Sequence, residues 1–254
     1  MTVKIYGYGW VGKAMQTLFP DAWIHDPFLN MINEKTADIA FICVPSPCPN
    51  EGALDTSIVE AVVSSAAEPL LVIRSTVNPG DCGKWAEKYK KHIVMQPEYL
   101  GETVNHPMTD QKTRPFLIIG GKATDRRKLI ELYQTVYNAN VTIRQVSCLE
   151  AEIIKLTENR AISFKVAQCQ ELWDVCQLAE VDYYTIRDAV YSDDPRFNLW
   201  WTFVFPDKRG FNSKCIPKDV YAWAAWAESL GYKPVITRSL LERNKKWLAT
   251  NSQS

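Results

Sequence analysis

The stretch VKIYGYGWVG at residues 3–12 decides the fold of the first half of the chain. Its first four residues predict a short buried strand, and a Gly-x-Gly-x-x-Gly pattern follows at Gly7, Gly9 and Gly12. Such glycines permit a tight turn, close approach of the backbone to a pyrophosphate, and close packing of a helix on the strand. The helix that begins at Trp10 and Val11 then offers its first N–H groups and its positive dipole end to an anion. The stretch therefore predicts a dinucleotide-binding turn.

An acidic residue lies where such a turn needs one. The second predicted strand, Ala22–His25, ends before Asp26, nineteen residues after Gly7. A carboxylate at this spacing is typical of the residue that binds both ribose hydroxyls. No arginine follows it, so the extra phosphate of NADP would meet an uncompensated negative charge. The sequence favours NAD, and the alternative is a glycine turn beside an aspartate that only caps a helix.

Strands and helices alternate through the first half of the chain. The predicted strands are Val3–Tyr6, Ala22–His25, Ala37–Val44, Leu70–Arg74, His92–Gln96 and Phe116–Ile119, and the predicted helices are Trp10–Phe19, Ile58–Ala66, Asp81–Lys91 and Ala123–Tyr137. Ser57 and Glu60 are predicted to form a capping box at the second helix. Alternation of apolar strands with helices predicts an α/β fold with a doubly wound parallel sheet.

The pattern changes near residue 146. From Cys148 to Ala179 there is no glycine or proline, and apolar residues recur at helical spacing. This predicts one long helix, followed by a helical region that includes a helix around Ser239–Trp247. We therefore expect a Rossmann domain over residues 1–146 and a helical domain over residues 147–254.

Charge and composition exclude several classes of partner. Lys plus Arg equals Asp plus Glu, at 29 each, which gives no support for a nucleic-acid or membrane-surface partner. The longest apolar run, Ile39 to Pro45, is too short to span a bilayer. Seven cysteines without regular spacing, in a chain with no apparent leader, predict reduced thiols in the cytoplasm. No metal-ligand pattern is present, so no metal is expected.

Two spacings in the second half indicate chemistry. Lys155 and Asn159 stand four residues apart on the long helix and so share a face. Cys215 precedes Pro217, which suits the first turn of a helix, and a thiolate at a helix N-terminus is favoured by the dipole. Asp219 follows one turn later. The alternatives are a solvated polar face for the first pair and an inert thiol for Cys215.

The order of these motifs resembles that of the UDP-glucose/GDP-mannose 6-dehydrogenases. Six segments match in order: Gly7–Gly12, Val44-Pro45-Ser46-Pro47, Arg74-Ser75-Thr76-Val77, Gln96-Pro97-Glu98-Tyr99-Leu100, Glu152-Ile153-Ile154-Lys155-Leu156 with Asn159, and Gly210-Phe211 ahead of Cys215-Ile216-Pro217-Lys218-Asp219. The resemblance implies a four-electron oxidation of a sugar's primary alcohol to a carboxylate, with two NAD used in succession. It also places Val44, Pro45 and Thr76 beside the cofactor.

The resemblance further implies a role for each catalytic candidate. Cys215 would attack the intermediate aldehyde to give a thiohemiacetal and then a thioester. Lys155 and Asn159 would stabilise the oxyanion. Asp219 would orient a water or share a proton with Lys155. Glu98 and Thr76 would help to position the hydrolytic water, with loop capping as the alternative.

The chain also departs from the family pattern. The family usually carries a third, nucleotide-holding domain, whereas this sequence stops soon after its last predicted helix. Only about ten residues separate Asp26 from Asp38, where the family has a longer segment. Asn212 and Ser213 replace two glycines of the cysteine loop, and Lys214 precedes the cysteine. We expect a minimal member of the family.

Two other functions stay open at this stage. A two-electron dehydrogenase of the 3-hydroxyisobutyrate or 6-phosphogluconate type also sets a lysine and an asparagine four residues apart, but it needs no catalytic cysteine. A degenerate NAD-binding protein would need none of Lys155, Asn159, Cys215 and Asp219.

A homodimer is expected from the second half. The long helix presents more apolar surface than a small helical region can cover. An aromatic run adds to it, at Trp200, Trp201, Phe203 and Phe205, with Trp223, Trp226 and Trp247. The family resemblance implies the same pairing, through the long helix.

Overall fold

The structure is a computed structural model that describes residues 1–101, 106 and 108–251. The chain divides into two compact units. Unit 1 consists of Met1–Pro49 and Leu54–Lys155, and unit 2 consists of Asn50–Ala53 and the chain from Leu156 onward. The domain boundary near residue 146 stays a prediction.

Unit 1 is built on one sheet. Its strands are β1 (Val3–Tyr6), β2 (Trp23–His25), β3 (Ile39–Ile42), β4 (Leu71–Ile73), β5 (Ile93–Met95), β6 (Phe116–Gly121) and β7 (Thr142–Val146). Its helices are α1 (Trp10–Leu18), α2 (Ser57–Ser65), α3 (Asp81–Lys88) and α4 (Ala123–Tyr133), with a 3₁₀ turn at Pro27–Leu29. The strand order is β2-β1-β3-β4-β5-β6-β7. This mostly parallel, doubly wound α/β sheet confirms the predicted fold class.

Two layers of helices bury the two faces of the sheet. Phe41 on β3 packs in a cluster with residues of α1 and α4, whereas its neighbour Ile42 packs with residues of α2 and α3. Ala151, on the first turn of the long helix, joins the second cluster. Because both faces are covered, consecutive strand residues are all apolar, as the pattern of β3 shows.

Three details of the sequence prediction are wrong. β6 pairs antiparallel with β5, since no described helix joins the two strands to carry the chain back to the other end of the sheet. The edge strand β7 escaped prediction because its half-exposed sequence TIRQV is mostly polar. The Ser57–Glu60 capping box does not form: Ser57 N–H donates to Asp55 Oδ1 at 3.0 Å, and Glu60 Oε1 instead accepts from Lys88 Nζ at 2.9 Å.

Unit 2 is helical. The predicted long helix is present as α5 (Cys148–Leu178), and α6 (Tyr183–Tyr191), α7 (Ile216–Ser229) and α8 (Val235–Thr250) follow. Trp247 was expected in an exposed aromatic patch, but it is 5% exposed and donates its indole N–H to Asp174. No helix in the described part of the chain has the length and apolarity to cross a membrane.

Candidate cofactor site and active site

Two of the three glycines in the turn have no room for a side chain, whereas the third lies at an open position. Gly7 has φ of +85°, and a Cβ there would lie 2.8 Å from the Cys43 carbonyl oxygen. A Cβ on Gly12 would lie 2.1 Å from the Gly7 carbonyl oxygen, so only glycine fits this helix-strand contact. At Gly9 no heavy atom lies within 4 Å of such a Cβ. Gly9 is the N-cap of α1, with no side-chain cap, so the N-terminus of α1 presents an open cradle of the kind a pyrophosphate needs.

Asp26 binds the glycine turn to the segment after β2. Its Oδ2 accepts from Tyr8 N–H at 2.7 Å, and its Oδ1 accepts from Phe28 N–H at 3.0 Å and Leu29 N–H at 3.3 Å. The carboxylate therefore does cap a 3₁₀ turn. A carboxylate has about four acceptor positions, so Asp26 can still accept a ribose hydroxyl.

The remaining predicted cofactor residues follow the neighbouring strands. β1 lies between β2 and β3, which makes the carboxyl ends of β1 and β3 the switch point where doubly wound sheets bind ligands. Val44 and the exposed Pro45 follow β3 at this edge, and Ser75 Oγ donates to the Val44 carbonyl oxygen at 2.6 Å. Thr76 is half-buried after β4. Unit 1 thus offers a turn, a carboxylate and a switch point that fit NAD.

Glu98 is the centre of a buried polar network in unit 1. Its carboxylate accepts from Arg74, from Arg114 at 2.7 Å and from Gln111 at 2.6 Å. The backbone N–H groups of Tyr99 and Leu100 also donate to it, at 2.6 and 2.7 Å. Burial alone would raise the pKa of Glu98, but the two guanidiniums and the two backbone donors hold the pKa at about 2. Glu98 is therefore an anion tied to its own loop.

Lys155 stands against that loop. Its side chain is buried, and Nζ lies 5.2 Å from the centre of the Tyr99 ring. Glu152, one turn earlier on α5, accepts from Gly80 N–H at 2.6 Å and Cys82 N–H at 2.9 Å, and so caps α3. Burial raises the pKa of Glu152 although those N–H bonds oppose the shift. The first turns of α5 are thereby fixed in unit 1, and Lys155 is fixed with them.

Unit 2 places three of the predicted catalytic residues on two helices. Cys215 is exposed and is the N-cap of α7, with Pro217 in the first turn. Asp219 is fully buried, and its Oδ2 accepts from Asn159 Nδ2 at 2.5 Å. Its Oδ1 accepts from Lys218 Nζ at 2.7 Å. Asp219 thus joins the first turn of α7 to the middle of α5.

Some residues of the site were missed from the sequence. No local sequence signal identifies Tyr99 as the aromatic ring beside Lys155. Lys218 was not recognised as the ion partner of Asp219, because adjacent residues on a helix rarely face each other. Ser213 Oγ accepts from Ile216 N–H at 3.1 Å, so this substitute for a family glycine binds the start of α7. Serine hydroxyls often bond to nearby backbone N–H groups, so a serine just before a helix is a recognisable signal for such a contact.

Two models of known protein domains match the chain. Residues 29–139 match the NAD binding domain of the UDP-glucose/GDP-mannose dehydrogenase family, and residues 149–246 match its central domain. The first match begins beyond the glycine turn and Asp26. The two family models together cover most of the chain.

Individual relatives carry related names. UDP-glucose 6-dehydrogenase of Pseudomonas aeruginosa is 27% identical over 228 residues, which is 83% of this chain and 49% of that protein. GDP-mannose 6-dehydrogenase of Pseudomonas savastanoi pv. phaseolicola is 27% identical over 232 residues, 83% of this chain and 51% of that protein. The chain thus spans about half the length of these relatives.

The fold also has solved counterparts. The structure of a UDP-glucose dehydrogenase from Pyrobaculum islandicum superposes with a TM-score of 0.82 at 21% identity, and the match covers 96% of this chain and 68% of that one. That of UDP-D-ManNAc dehydrogenase from Pyrococcus horikoshii gives 0.78 at 18% identity, over 97% and 69%. With both domain models matched in order, the chain belongs to the UDP-glucose/GDP-mannose dehydrogenase family.

Proposed function

We propose that this protein oxidises the primary alcohol of a nucleotide sugar to a carboxylate, with NAD as the oxidant. One observation carries the proposal: an exposed cysteine at a helix N-terminus lies one turn before a buried aspartate, and that aspartate holds the asparagine of a Lys-x-x-x-Asn pair. A two-electron dehydrogenase has no use for this cysteine. The names of the relatives support a nucleotide sugar as the substrate class.

Cys215 is the proposed nucleophile. The N-terminus of α7 favours its thiolate, and its exposure gives a substrate access. The sulfur adds to the aldehyde carbon and forms a thiohemiacetal, whose oxygen takes up a proton. The thiohemiacetal carbon then gives up a hydride and its oxygen gives up a proton, which leaves a thioester. Water adds to the thioester carbon, the C–S bond breaks, the sugar carboxylate is released, and the Cys215 thiol is regenerated. When bound, NAD supplies the hydride acceptor for both oxidations, one NAD for the alcohol and one for the thiohemiacetal.

Lys155 and Asn159 are the proposed stabilisers of the negative oxygen. They lie one turn apart on α5, so their side chains project from the same face of that helix. The lysine contributes a cation and the asparagine an amide donor. An amide carries two N–H donors, and Asp219 takes one of them, which orients the other. We propose that orientation as the main role of Asp219, beside the predicted proton exchange with Lys155.

We propose that Thr76 helps to position the hydrolytic water and that Glu98 acts on this water indirectly, by holding its own loop. Five donors hold the Glu98 carboxylate, which suits a residue that fixes the Tyr99–Leu100 loop rather than one that takes up a proton. Thr76 follows β4 with a hydroxyl available for a water or for the cofactor.

The proposed cofactor contacts lie in unit 1. Gly9, Trp10, Val11 and Gly12 would hold the pyrophosphate through the N–H groups of the α1 N-terminus, with Gly7 making the turn. Asp26 would bind the ribose, and Val44 and Pro45 would line the site at the end of β3. The open position at Gly9 supports this assignment.

The test is the number of NADH formed per nucleotide sugar consumed, measured by absorbance with the full chain and a panel of UDP- and GDP-sugars. The proposal predicts two NADH and one acid per sugar. One NADH per substrate would indicate a two-electron dehydrogenase. No turnover with any sugar, despite NAD binding, would indicate a protein that keeps only the cofactor site.

We further propose a homodimer built on unit 2. Val175 and Leu178 at the end of α5, and Val181 just after it, are 55%, 87% and 45% exposed. Trp200, Phe203 and Phe205 are each about half exposed. Large apolar side chains that are exposed in two stretches of the same unit support an interface there. In a two-fold dimer the end of α5 would meet its own copy.

The protein is proposed to work in the cytoplasm. All seven cysteines lie in the described residues, and none of them is in a disulfide. Reduced thiols, including a catalytic one, persist in a reducing compartment.

A further inference from the structure

The segment that leads into the cysteine loop is held by two asparagines, Asn244 on α8 and Asn251, which caps the C-terminus of that helix. Asn244 Oδ1 accepts from Phe211 N–H at 2.8 Å, and Asn244 Nδ2 donates to the Phe211 carbonyl oxygen at 3.0 Å. Asn251 repeats the arrangement on Arg209, with bonds of 2.7 Å to its N–H and 2.9 Å to its carbonyl oxygen. Asn251 lies seven positions after Asn244 and its backbone is still helical, so the two side chains lie on one face of the helix about two turns apart.

The residue between the two clamped positions has to be glycine. Gly210 has φ of +78°, a conformation that other residues rarely adopt, and a Cβ there would lie 2.6 Å from Asn244 Oδ1. The left-handed turn at Gly210 allows Arg209 and Phe211 both to face α8. The side chains are anchored as well: Phe211 is buried beside Val220 and Trp247, and Arg209 Nη2 binds Asp174 of α5 at 2.6 Å.

Beyond this clamp the chain is exposed until α7 begins. Asn212, Ser213, Lys214 and Cys215 are all exposed. They form a four-residue bridge whose near end is fixed at Phe211 and whose far end is fixed by the Ser213 bond to Ile216 N–H and by α7 itself. A short bridge between two fixed ends can take few conformations.

We infer that Asn244 and Asn251 are positioning residues, which set the place of the Cys215 sulfur by clamping the backbone of Phe211 and Arg209. The inference rests on the proposed function of Cys215 as nucleophile. The two amide side chains make four hydrogen bonds to the backbone of this segment. These bonds fix the conformation of the segment as pairing with a neighbouring strand would.

The test compares Asn244→Ala with Leu240→Ala, in the full chain. Leu240 lies on α8 in the same buried cluster as Phe211 but makes no side-chain hydrogen bond to the segment, so its truncation is a control for lost packing with the clamp intact. Amide hydrogen exchange of residues 209–215 should become faster by about tenfold or more in Asn244→Ala and stay close to wild type in Leu240→Ala. Exchange does not depend on turnover, so this arm stands even if the nucleotide-sugar activity is absent.

The kinetic arm separates positioning from folding. In Asn244→Ala kcat should fall by about tenfold or more with the Kd of NAD unchanged, while Leu240→Ala keeps kcat at a temperature where both variants are folded. Asn244→Asp, which retains the acceptor for Phe211 N–H, should fall between wild type and Asn244→Ala. Equal exchange rates in the two alanine variants, or an equal loss of kcat, would overturn the inference.

Discussion

At the scale of single residues, three carboxylates differ in how many of their acceptor positions are already occupied by protein donors. Asp26 is shared between two backbone segments and retains acceptor capacity. Glu98 is occupied by five donors. Asp219 is buried between a lysine and an amide, where it can orient the amide. Of the three, only Asp26 is suited to bind a ligand that exchanges with solvent.

Asp26 should make the protein prefer NAD to NADP. A 2′-phosphate beside this carboxylate would be an unpaired like charge, so NAD should bind at least about tenfold (~1.4 kcal/mol) more tightly. Isothermal titration calorimetry measures both affinities. Asp26→Asn keeps a cap for the 3₁₀ turn and should narrow the difference. Equal affinities in the wild type would remove Asp26 from the ribose site.

Glu98 should contribute a pH-dependent part of the stability. Its pKa is about 2 in the fold against an ordinary value of 4.5, so the ionised form stabilises the fold above pH 4.5 and the contribution disappears as pH falls toward 2. Glu98→Gln should lower the free energy of unfolding by about 3 kcal/mol at pH 7, and the difference from wild type should shrink in acid. Urea unfolding at pH 7, 4 and 3 measures it, and a difference independent of pH would contradict this reading.

The sequence predicted the site best at positions where a residue type has few structural roles. Glycines at residues 7, 9 and 12, the aspartate after β2 and a cysteine before a proline each have few structural explanations. The sequence did not predict the contact of Tyr99 with Lys155 or that of Asn244 with Phe211. Each contact joins residues far apart in the chain, and many other side chains could have made it. Such partners become visible only when the backbone is in place.

At the scale of elements, α5 connects the sheet to the helical unit. Its first turns belong to unit 1, where Glu152 caps α3, and its later turns carry Asn159 and the core of unit 2. The helix was predicted correctly because its 31 residues contain no glycine or proline and their apolar residues recur at helical spacing. The edge strand β7 and the antiparallel direction of β6 were not predicted. A polar edge strand lacks the apolar pattern of a buried strand, and the direction of a strand cannot be read from its local sequence.

Glu152 should be a structural residue despite its place in a catalytic motif. Glu152→Ala removes the carboxylate that accepts from two backbone N–H groups at the N-terminus of α3 and should cost about 1–2 kcal/mol of stability. Chemical denaturation measures it, with the exposed Glu171→Ala on the same helix as the control. NAD affinity should not change. A variant as stable as the control would show that α3 does not depend on this cap.

At the scale of the whole molecule, the exposed apolar residues of unit 2 should pair two copies of the chain. Light scattering at micromolar concentration should give twice the monomer mass. Leu178→Glu should shift the equilibrium toward monomer, because a charge buried at the centre of a two-fold interface faces its own copy. Lys214→Glu, away from these residues in sequence and exposed, is the control. A wild-type protein of monomer mass at all concentrations would show that the apolar surface serves another purpose.

The covalent role of Cys215 is the central claim, and a quenched reaction tests it most directly. The enzyme is mixed with NAD and an isotopically labelled nucleotide sugar that it oxidises, stopped in acid during the first turnovers, and digested for mass spectrometry. The peptide that contains Cys215 should carry the sugar as a thioester, while Cys148→Ser shows the same adduct and Cys215→Ser shows none and loses acid formation by roughly 10³-fold or more. Acid formed at the native rate by Cys215→Ser, or label that stays off Cys215 while acid accumulates, would contradict the account.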